Sequence, residues 1–424
     1  MEHLRAIEHS SHTGSAIART SGAIALSYNL NAIAVSVSRI KKHSLFSIPY
    51  SPFPIPLFIK TMSKPKVTII VTQRERFSLT EPSLESILCD YAAYPFDLIY
   101  VDGNSPPPVQ EYLQQQAQTH EFMTLIRRDR YLRSNVARNI ALPQVQEADY
   151  VVFLDNDVII EPGWLKRLVD CAEEEQAGIV VPLILQGQPG SPNIEVHVAG
   201  IKTIWRERKF GKKWFEQKQL LYAKQLRDVE QDLHRTPVDS VEFHCLMARH
   251  SLMKSVVLDE VFDSLASHTD LCLQATELGE KIFLEPSSRV TFLNPRQITL
   301  FTESDIPFYL FKWSEQGIGD VFNRTYSKWK IAKNDPSIWS IWKWVIENRQ
   351  LPAKWSTQEG SRERQILDFC QRRWCPGWLR TLLESIVFKR AFPQSGIPIN
   401  LNQEVNASVE TLLKQPQPQD VVIH

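Results

Sequence analysis

The stretch YVVFLDNDVIIEPGW, Tyr150 to Trp164, runs as an apolar segment, breaks into Asp155-Asn156-Asp157, and then resumes with Val158-Ile159-Ile160. An apolar run of that kind reads as a strand buried on both faces. Two carboxylates one residue apart at its end repel each other and are costly to bury unless a cation or a protein partner offsets them. What surrounds the pair decides its use.

Working outward, the same pattern repeats on both sides. KVTIIVTQ from Lys66 is a buried strand, and SLESILCDYAAY places Leu84, Ile87 and Leu88 on one helical face with Tyr91 a turn further on. FDLIYVDGNS is a second strand ending in Asp102-Gly103-Asn104-Ser105, followed by a helix through PVQEYLQQQAQTH. FMTLIRRD is a third strand; SNVARNIALPQV is a short helix with Ser134 as its candidate N-cap. The opening segment is the fourth, PGWLKRLVDCAEEE a helix with Pro162 in its first turn, and AGIVVPLIL the fifth strand. Strands alternating with helices predict an α/β fold with a mainly parallel sheet covered on both faces. In such sheets ligands bind at the carboxyl ends of the strands, where Asp102, Asp155 and Asp157 all fall.

Gln186 to Thr236 is polar, basic and aromatic, and predicts a long loop or flap with a helix in QLLYAKQLRDVEQDL. A strand resumes at VEFHCLMAR, and the chain from about Ile298 reads as mainly helical, DPSIWSIWKWVIENRQ starting at its Asp-Pro and GWLRTLLESIVFKRAF being amphipathic. Residues 1–61 differ from the rest: Ser-rich, poor in acids and ending in SIPYSPFPIPLF, they suit a targeting segment or an upstream extension before a native start at Met62, and are expected to be disordered or loosely packed.

With 424 residues, 43% of them hydrophobic, and a formal net charge of +0, the chain can bury a large core, and its charge gives no reason to expect a nucleic-acid partner. The six cysteines show no CxxC spacing and no histidine near Cys370 and Cys375 completes a zinc site, so they read as reduced thiols of a cytosolic protein. GAIALSYNLNAIAVSVS, the best candidate for a membrane span, is interrupted by Tyr28, Asn29 and Asn31. The expectation is a soluble or at most peripheral protein.

The ordered set VTIIVTQRERF, IYVDGNSP, SNVARNIAL, VVFLDNDVIIEPGWL and LDEVFDSLASHTDLCLQATELGEKIFLEP resembles family 2 glycosyltransferases of the GT-A fold, over about Lys66 to Pro295. That resemblance implies a Rossmann-like sheet flanked by helices and a nucleotide-sugar donor carrying UDP, GDP or dTDP. The DxD motif Asp155-x-Asp157 is then implied to hold Mg²⁺ or Mn²⁺, the bend aiming both carboxylates outward, Asp157 at the metal and Asp155 at ribose or a metal-bound water. Thr72 and Asp102 match positions that contact the nucleotide, and Arg138 and Asn139 match a pair near it. Taken alone, Asp102 fits an Asx-turn before Gly103 nearly as well.

Two departures from the family pattern bear on chemistry. Many members carry an acidic pair just before DL, where this chain has Ser267 and His268, and the second acid is the base that deprotonates the acceptor hydroxyl. Here either His268 serves as base, or Asp270 does, or catalysis has been lost. No histidine lies between His268 and His424 to act as a late third metal ligand, which leaves the metal to Asp157, phosphates and water. His244 is a substitute near the site, although a strand histidine is more often structural.

Trp164, Trp205, Trp214 and Trp313 could stack on sugar rings; of these Trp205 and Trp214, in the basic flap, are the better acceptor-site candidates and Trp164 reads as packing, while Trp339, Trp342 and Trp344 read as core or interface. These tail tryptophans, with Lys389 and Arg390, also allow peripheral membrane contact on the cytoplasmic side, which suits a lipid-linked acceptor as well as a saccharide or protein one. The expected organisation is an extension over 1–61, a GT-A domain over 62–297 with its nucleotide-binding half ending near 185, and a helical C-terminal extension over 298–424. The expected reaction is metal-dependent transfer of the sugar to an acceptor hydroxyl, by inverting single displacement. The alternative is a catalytically degenerate nucleotide-sugar-binding scaffold of the same fold. A nucleotidyltransferase is disfavoured because VTQRERFSLTEP has no glycine, and a dinucleotide-dependent dehydrogenase because GxGxxG is absent.

Overall fold

The computed structural model describes residues 64–208, 212–263, 265–332, 337–396 and 421–423. The expectations for residues 1–61 and for the Asp335-Pro336 helix start lie outside the described residues.

The strands in chain order are β1 Val67–Thr72, β2 Asp97–Gly103, β3 Met123–Arg128, β4 Tyr150–Asp155, β5 Val158–Ile160, β6 Ile179–Gln186 and β7 Glu195–Val198. They continue with β8 Ile201–Arg208, β9 Lys212–Gln219, β10 Thr236–Pro237, β11 Cys245–Arg249, β12 Ile282–Phe292 and β13 Val421–Ile423. The main sheet follows the order β10-β12-β6-β11-β4-β1-β2-β3-β13, with β5 on β12 and β7 on β6. The block β4-β1-β2-β3 is parallel throughout, and β6 and β12 are parallel to each other. Between these blocks β11 is antiparallel to both β4 and β6. The five strands expected from the apolar runs all form, in a mixed, mostly parallel sheet flanked by helices.

Why those runs become two-sided strands is visible in the core. Ile69 and Val71 of β1 pack with Leu84, Ile87 and Leu113 on one face, while Ile70 packs with Ala137, Ala141 and Leu271 on the other. Side chains alternate faces along a strand, so helices on both sides require apolar residues at every position. The C-terminal helices, among them Asp305–Lys312, Glu315–Trp329, Ser337–Arg349 and Gly377–Ala391, add smaller clusters of their own. One buried ion pair fastens them down: Lys312 Nζ donates to Asp263 Oδ1 at 2.6 Å and to Ser134 Oγ at 2.8 Å.

Several local expectations are corrected. The flap is a β-ribbon, β8 paired with β9, and QLLYAKQLRDVEQDL retains a one-turn helix at Leu226–Val229 continued by a 3₁₀ turn at Glu230–Asp232. Cross-strand aromatic packing explains the change, since Trp205 lies opposite Phe215 with ring centroids 5.4 Å apart. Ser134 is the first residue of its helix rather than the cap. Its N–H is satisfied from afar by Asp263 Oδ1 at 2.8 Å, an N-terminal partner that sequence spacing does not reveal. Pro162 precedes the helix Trp164–Glu175, whose N-cap is Gly163 at φ 76°.

Candidate functional site

β1 and β4 end together, with Thr72 in register with Asp155. The next residue, Asn156, ties the two loops beyond them: its Oδ1 accepts from Arg74 N–H at 2.9 Å and its Nδ2 donates to Arg76 O at 2.8 Å. Asn156 is thus the structural member of Asp-Asn-Asp, and it fixes the backbone on which the two carboxylates sit. The chain then enters β5, which pairs with β12 and not with β4.

Both carboxylates are buried, Asp155 being 1% and Asp157 0% exposed, so the expectation that the bend aims them outward is corrected. Their surroundings differ. Asp155 Oδ2 accepts from Arg74 Nη1 at 3.0 Å, and its Oδ1 from Arg138 Nη2 at 3.3 Å. Neither side-chain oxygen of Asp157 has a hydrogen-bond partner. Burial pushes the Asp157 carboxyl up to about 8, with Arg74 opposing the rise and Asp155 and Glu75 adding to it. Burial likewise works against the Arg74 charge, but Asp155, Glu75, Asp157 and Glu242 outweigh it and hold the guanidinium protonated.

His244, at the start of β11, brings a third group. Its Nδ1 is 3.5 Å from Asp155 Oδ2 and its Nε2 3.3 Å from Glu242 Oε2, and neither ring nitrogen makes a hydrogen bond. Burial, reinforced by Arg74, pushes His244 down to about 3, which keeps the imidazole neutral. Asp155, Asp157 and His244 offer ligand atoms all within 4.8 Å of one another, and so do His197, Glu242 and His244. Asp155, His197 and Glu242 line a cavity of about 650 Å³ together with Arg74, Arg138 and His268, while Asp157 and His244 lie behind its wall, next to Asp155. Trp313, Trp344 and Asn348, from the C-terminal helical region, also line the cavity.

The remaining sequence candidates separate. Asp102 does not line the cavity. Its Oδ1 accepts from Gln73 Nε2 at 2.7 Å and Ser105 N–H at 3.0 Å, and its Oδ2 from Ser105 Oγ at 2.9 Å and from Arg127. The side chain caps the N–H of Ser105, three residues on, rather than the residue-104 N–H of an Asx-turn, and both oxygens are occupied by the protein itself. Thr72 is buried and also absent from the cavity wall. Arg138 reaches the site, its guanidinium 3.7 Å from the Phe243 ring centroid. Burial pushes it down to about 10, Asp155 and Asp263 opposing. Asn139, one residue along the helix, faces away and bonds Leu258 O at 2.9 Å.

Of the two candidate bases, His268 lines the cavity. Burial lowers its pKa, with Glu242 pulling the other way and Arg74 and Arg138 adding to the fall. Asp270 is not on the cavity wall: Lys328 Nζ lies 2.7 Å from its Oδ1, Trp329 Nε1 donates at 3.0 Å and Gln274 Nε2 at 2.9 Å. It anchors the helix Glu315–Trp329 to the sheet domain. Trp205 stands on the ribbon at 47% exposure and Trp164 is fully buried. Neither Trp205 nor Trp214 lines the cavity; Gln217 and Gln219 of the same ribbon do.

Sequence reasoning missed Arg74, His197 and Glu242. Arg74 was signalled by its place two residues beyond the β1 end. Glu242 and His244 share a signal with Asp155 and Asp157, two ligand-type residues one position apart at a strand end.

Residues 68–228 match the family-wide sequence profile described as Glycosyl transferase family 2. No curated protein matches the chain. Among solved structures, the chain is similar to a crystal structure of GalNAc-T7 with UDP, GalNAc and Mn²⁺, at 14% identity and a TM-score of 0.43, over 68% of this chain and 54% of that one. The chain thus spans about half the length of that protein. The matched segment, which contains Asp155, Asp157, Arg74 and Arg138, is similar to family 2 glycosyltransferases, and it forms much of the mostly parallel sheet that positions those residues.

Proposed function

We propose that the protein transfers a sugar from a nucleotide-sugar donor, carrying UDP, GDP or dTDP, to an acceptor hydroxyl, with Mg²⁺ or Mn²⁺ as cofactor. The observation that carries this is Asp157, whose carboxylate oxygens are both buried and unpartnered beside a second carboxylate at the carboxyl end of a parallel strand. Such atoms call for a cation, and an oxygen donor set suits a hard divalent one. Asp157 and Asp155 are the residues that would hold it. When bound, the ion supplies Lewis-acid stabilisation of the negative charge that develops on the leaving nucleoside diphosphate.

The chain's own residues carry the rest. Arg74 and Arg138 present guanidinium groups at the cavity wall, suited to pairing with diphosphate oxygens. His268, neutral near pH 7, takes the acceptor proton at its imidazole as the acceptor oxygen bonds to the anomeric carbon and the bond to the phosphate oxygen breaks. One displacement of this kind inverts the anomeric centre. Trp313 and Trp344, rather than the ribbon tryptophans, supply aromatic faces to the cavity for the sugar or acceptor.

A cytoplasmic location at the membrane surface, with a lipid-linked acceptor, is favoured over a saccharide or protein acceptor by the helix Gly377–Ala391. There Trp378, Leu382 and Ile386, at 68%, 42% and 39% exposure, repeat at four-residue spacing, with Trp374 beside them and Lys389 and Arg390 at the helix end. None of the described helices is long and apolar enough to cross a membrane. Transfer assays with each nucleotide sugar, with and without Mn²⁺, test the reaction. Cation-dependent turnover supports it; binding of donor without turnover supports the scaffold alternative.

A further inference from the structure

The cluster His197, Glu242 and His244 is not needed by the reaction described above, and its hydrogen bonds are unusual. Gln186 Nε2 donates to Glu195 Oε2 at 3.1 Å, while its Oε1 accepts from Asn294 Nδ2 at 2.8 Å, so the orientation of this amide is fixed by its neighbours. His197 Nδ1 lies 2.9 Å from the same Oε1 and must therefore donate to it. In the neutral ring the Nε2 lone pair then points at Glu242 Oε2, 3.0 Å away, an acceptor facing an acceptor. The same Oε2 is 3.3 Å from Nε2 of His244, which is fully buried and has no hydrogen-bond partner on either nitrogen.

We propose that His197 Nε2, Glu242 Oε2 and His244 Nε2 form a second divalent-metal site, of the zinc or cobalt class, separate from the Asp155–Asp157 carboxylates. With His197 neutral, its Nε2 lone pair and the Glu242 oxygen face each other beside Nε2 of His244, and one cation satisfies all three ligand atoms. The spacing fits: ligands about 2.0–2.1 Å from a tetrahedral ion sit roughly 3.3 Å apart, close to the 3.0 and 3.3 Å separations here. Two imidazoles and one carboxylate favour a borderline ion over Mg²⁺, which prefers oxygen.

An outer layer of support is also in place. Gln186 holds His197 in the required tautomer, and Gln219 Nε2 donates to the other Glu242 oxygen at 2.6 Å. His197 and Glu242 line the cavity, so the fourth coordination position opens onto it, as in sites where a metal takes an exchangeable ligand. The inference does not depend on the transferase reading, because it concerns the protein without any donor.

The test is a Co²⁺ titration of the chelator-stripped full chain, read by visible absorption. One equivalent giving the intense band of four-coordinate Co²⁺ is expected, displaced by Zn²⁺ and not by Mg²⁺. His197→Ala and Glu242→Gln are expected to abolish the band. Gln186→Ala, which leaves all three ligands in place, should weaken Co²⁺ binding by about 10–100-fold. Asp157→Asn should keep the band. A wild-type protein that shows no such band overturns the proposal. So does a band that survives in a folded Glu242→Gln variant, or one lost in Asp157→Asn and kept in His197→Ala.

Discussion

Asp102 and Asp157 lie at or just beyond the carboxyl ends of β2 and β4, the strands on either side of β1 in the parallel block, and in sequence each is an aspartate soon after an apolar run. Their settings are opposite. Asp102 is buried and surrounded by donors from Gln73, Ser105 and Arg127, whereas Asp157 is buried with none on either oxygen. A carboxylate with its oxygens occupied holds a fold together. One without donors at the same depth is driven to hold a proton in the free protein, at a cost in stability, and is open to a cation that displaces that proton.

The contrast can be broken at several points. The largest effect is expected from Asp157→Ala, which should abolish cation-dependent binding of nucleoside diphosphate. His268→Ala should slow transfer by about 10²–10⁴-fold with donor affinity retained, as measured by single-turnover rates beside calorimetric binding. A normal rate would remove His268 from the base role. Asp102→Ala should instead cost stability, about 3–5 kcal/mol by urea unfolding, because it strands the largely buried Arg127 and the amide of Gln73. Asp157→Asn should move the metal-free protein the other way, by about 1–3 kcal/mol, since it removes a carboxyl that burial forces to take up a proton near neutral pH. If both substitutions destabilise alike, the two aspartates are not different in kind.

The pH dependence sharpens the assignment of the base. The pKa of His268 is depressed in the folded protein, so its proton is lost more readily there than in the unfolded chain. Its contribution to stability is present above the unfolded value of about 6.5 and is lost as pH falls below it. With metal and donor saturating, so that Asp157 is held deprotonated, the rate should stay level above about pH 6.5 and decline only further into acid. His268→Gln should remove that limb. A rate that still falls on the same acid limb in the variant assigns the titration to another group.

Much of the sheet was legible because strands buried on both faces leave an unmistakable apolar run, as in Ile69, Ile70 and Val71. The ribbon was not legible: its stability comes from pairings such as Trp205 with Phe215, while its composition is basic and polar. In the site, Asp155, Asp157, Arg138 and His268 could be named from order and position. What sequence could not show is direction. Arg138 and Asn139 are adjacent, yet one turns to the cavity and the other to Leu258, and Asp270 is turned to Lys328 and Trp329 from a distant helix. His197, Glu242 and His244 come from β7, the approach to β11 and its start, and only the sheet brings them together.

The most direct test of the central claim is titration calorimetry of UDP, GDP and dTDP into wild type and Asp157→Asn, each with and without Mn²⁺. Binding that requires the cation in wild type and loses that requirement, or disappears, in the variant is the predicted result. Equal, Mn²⁺-enhanced affinity in both proteins would contradict the assignment of Asp157 as the residue that holds the metal.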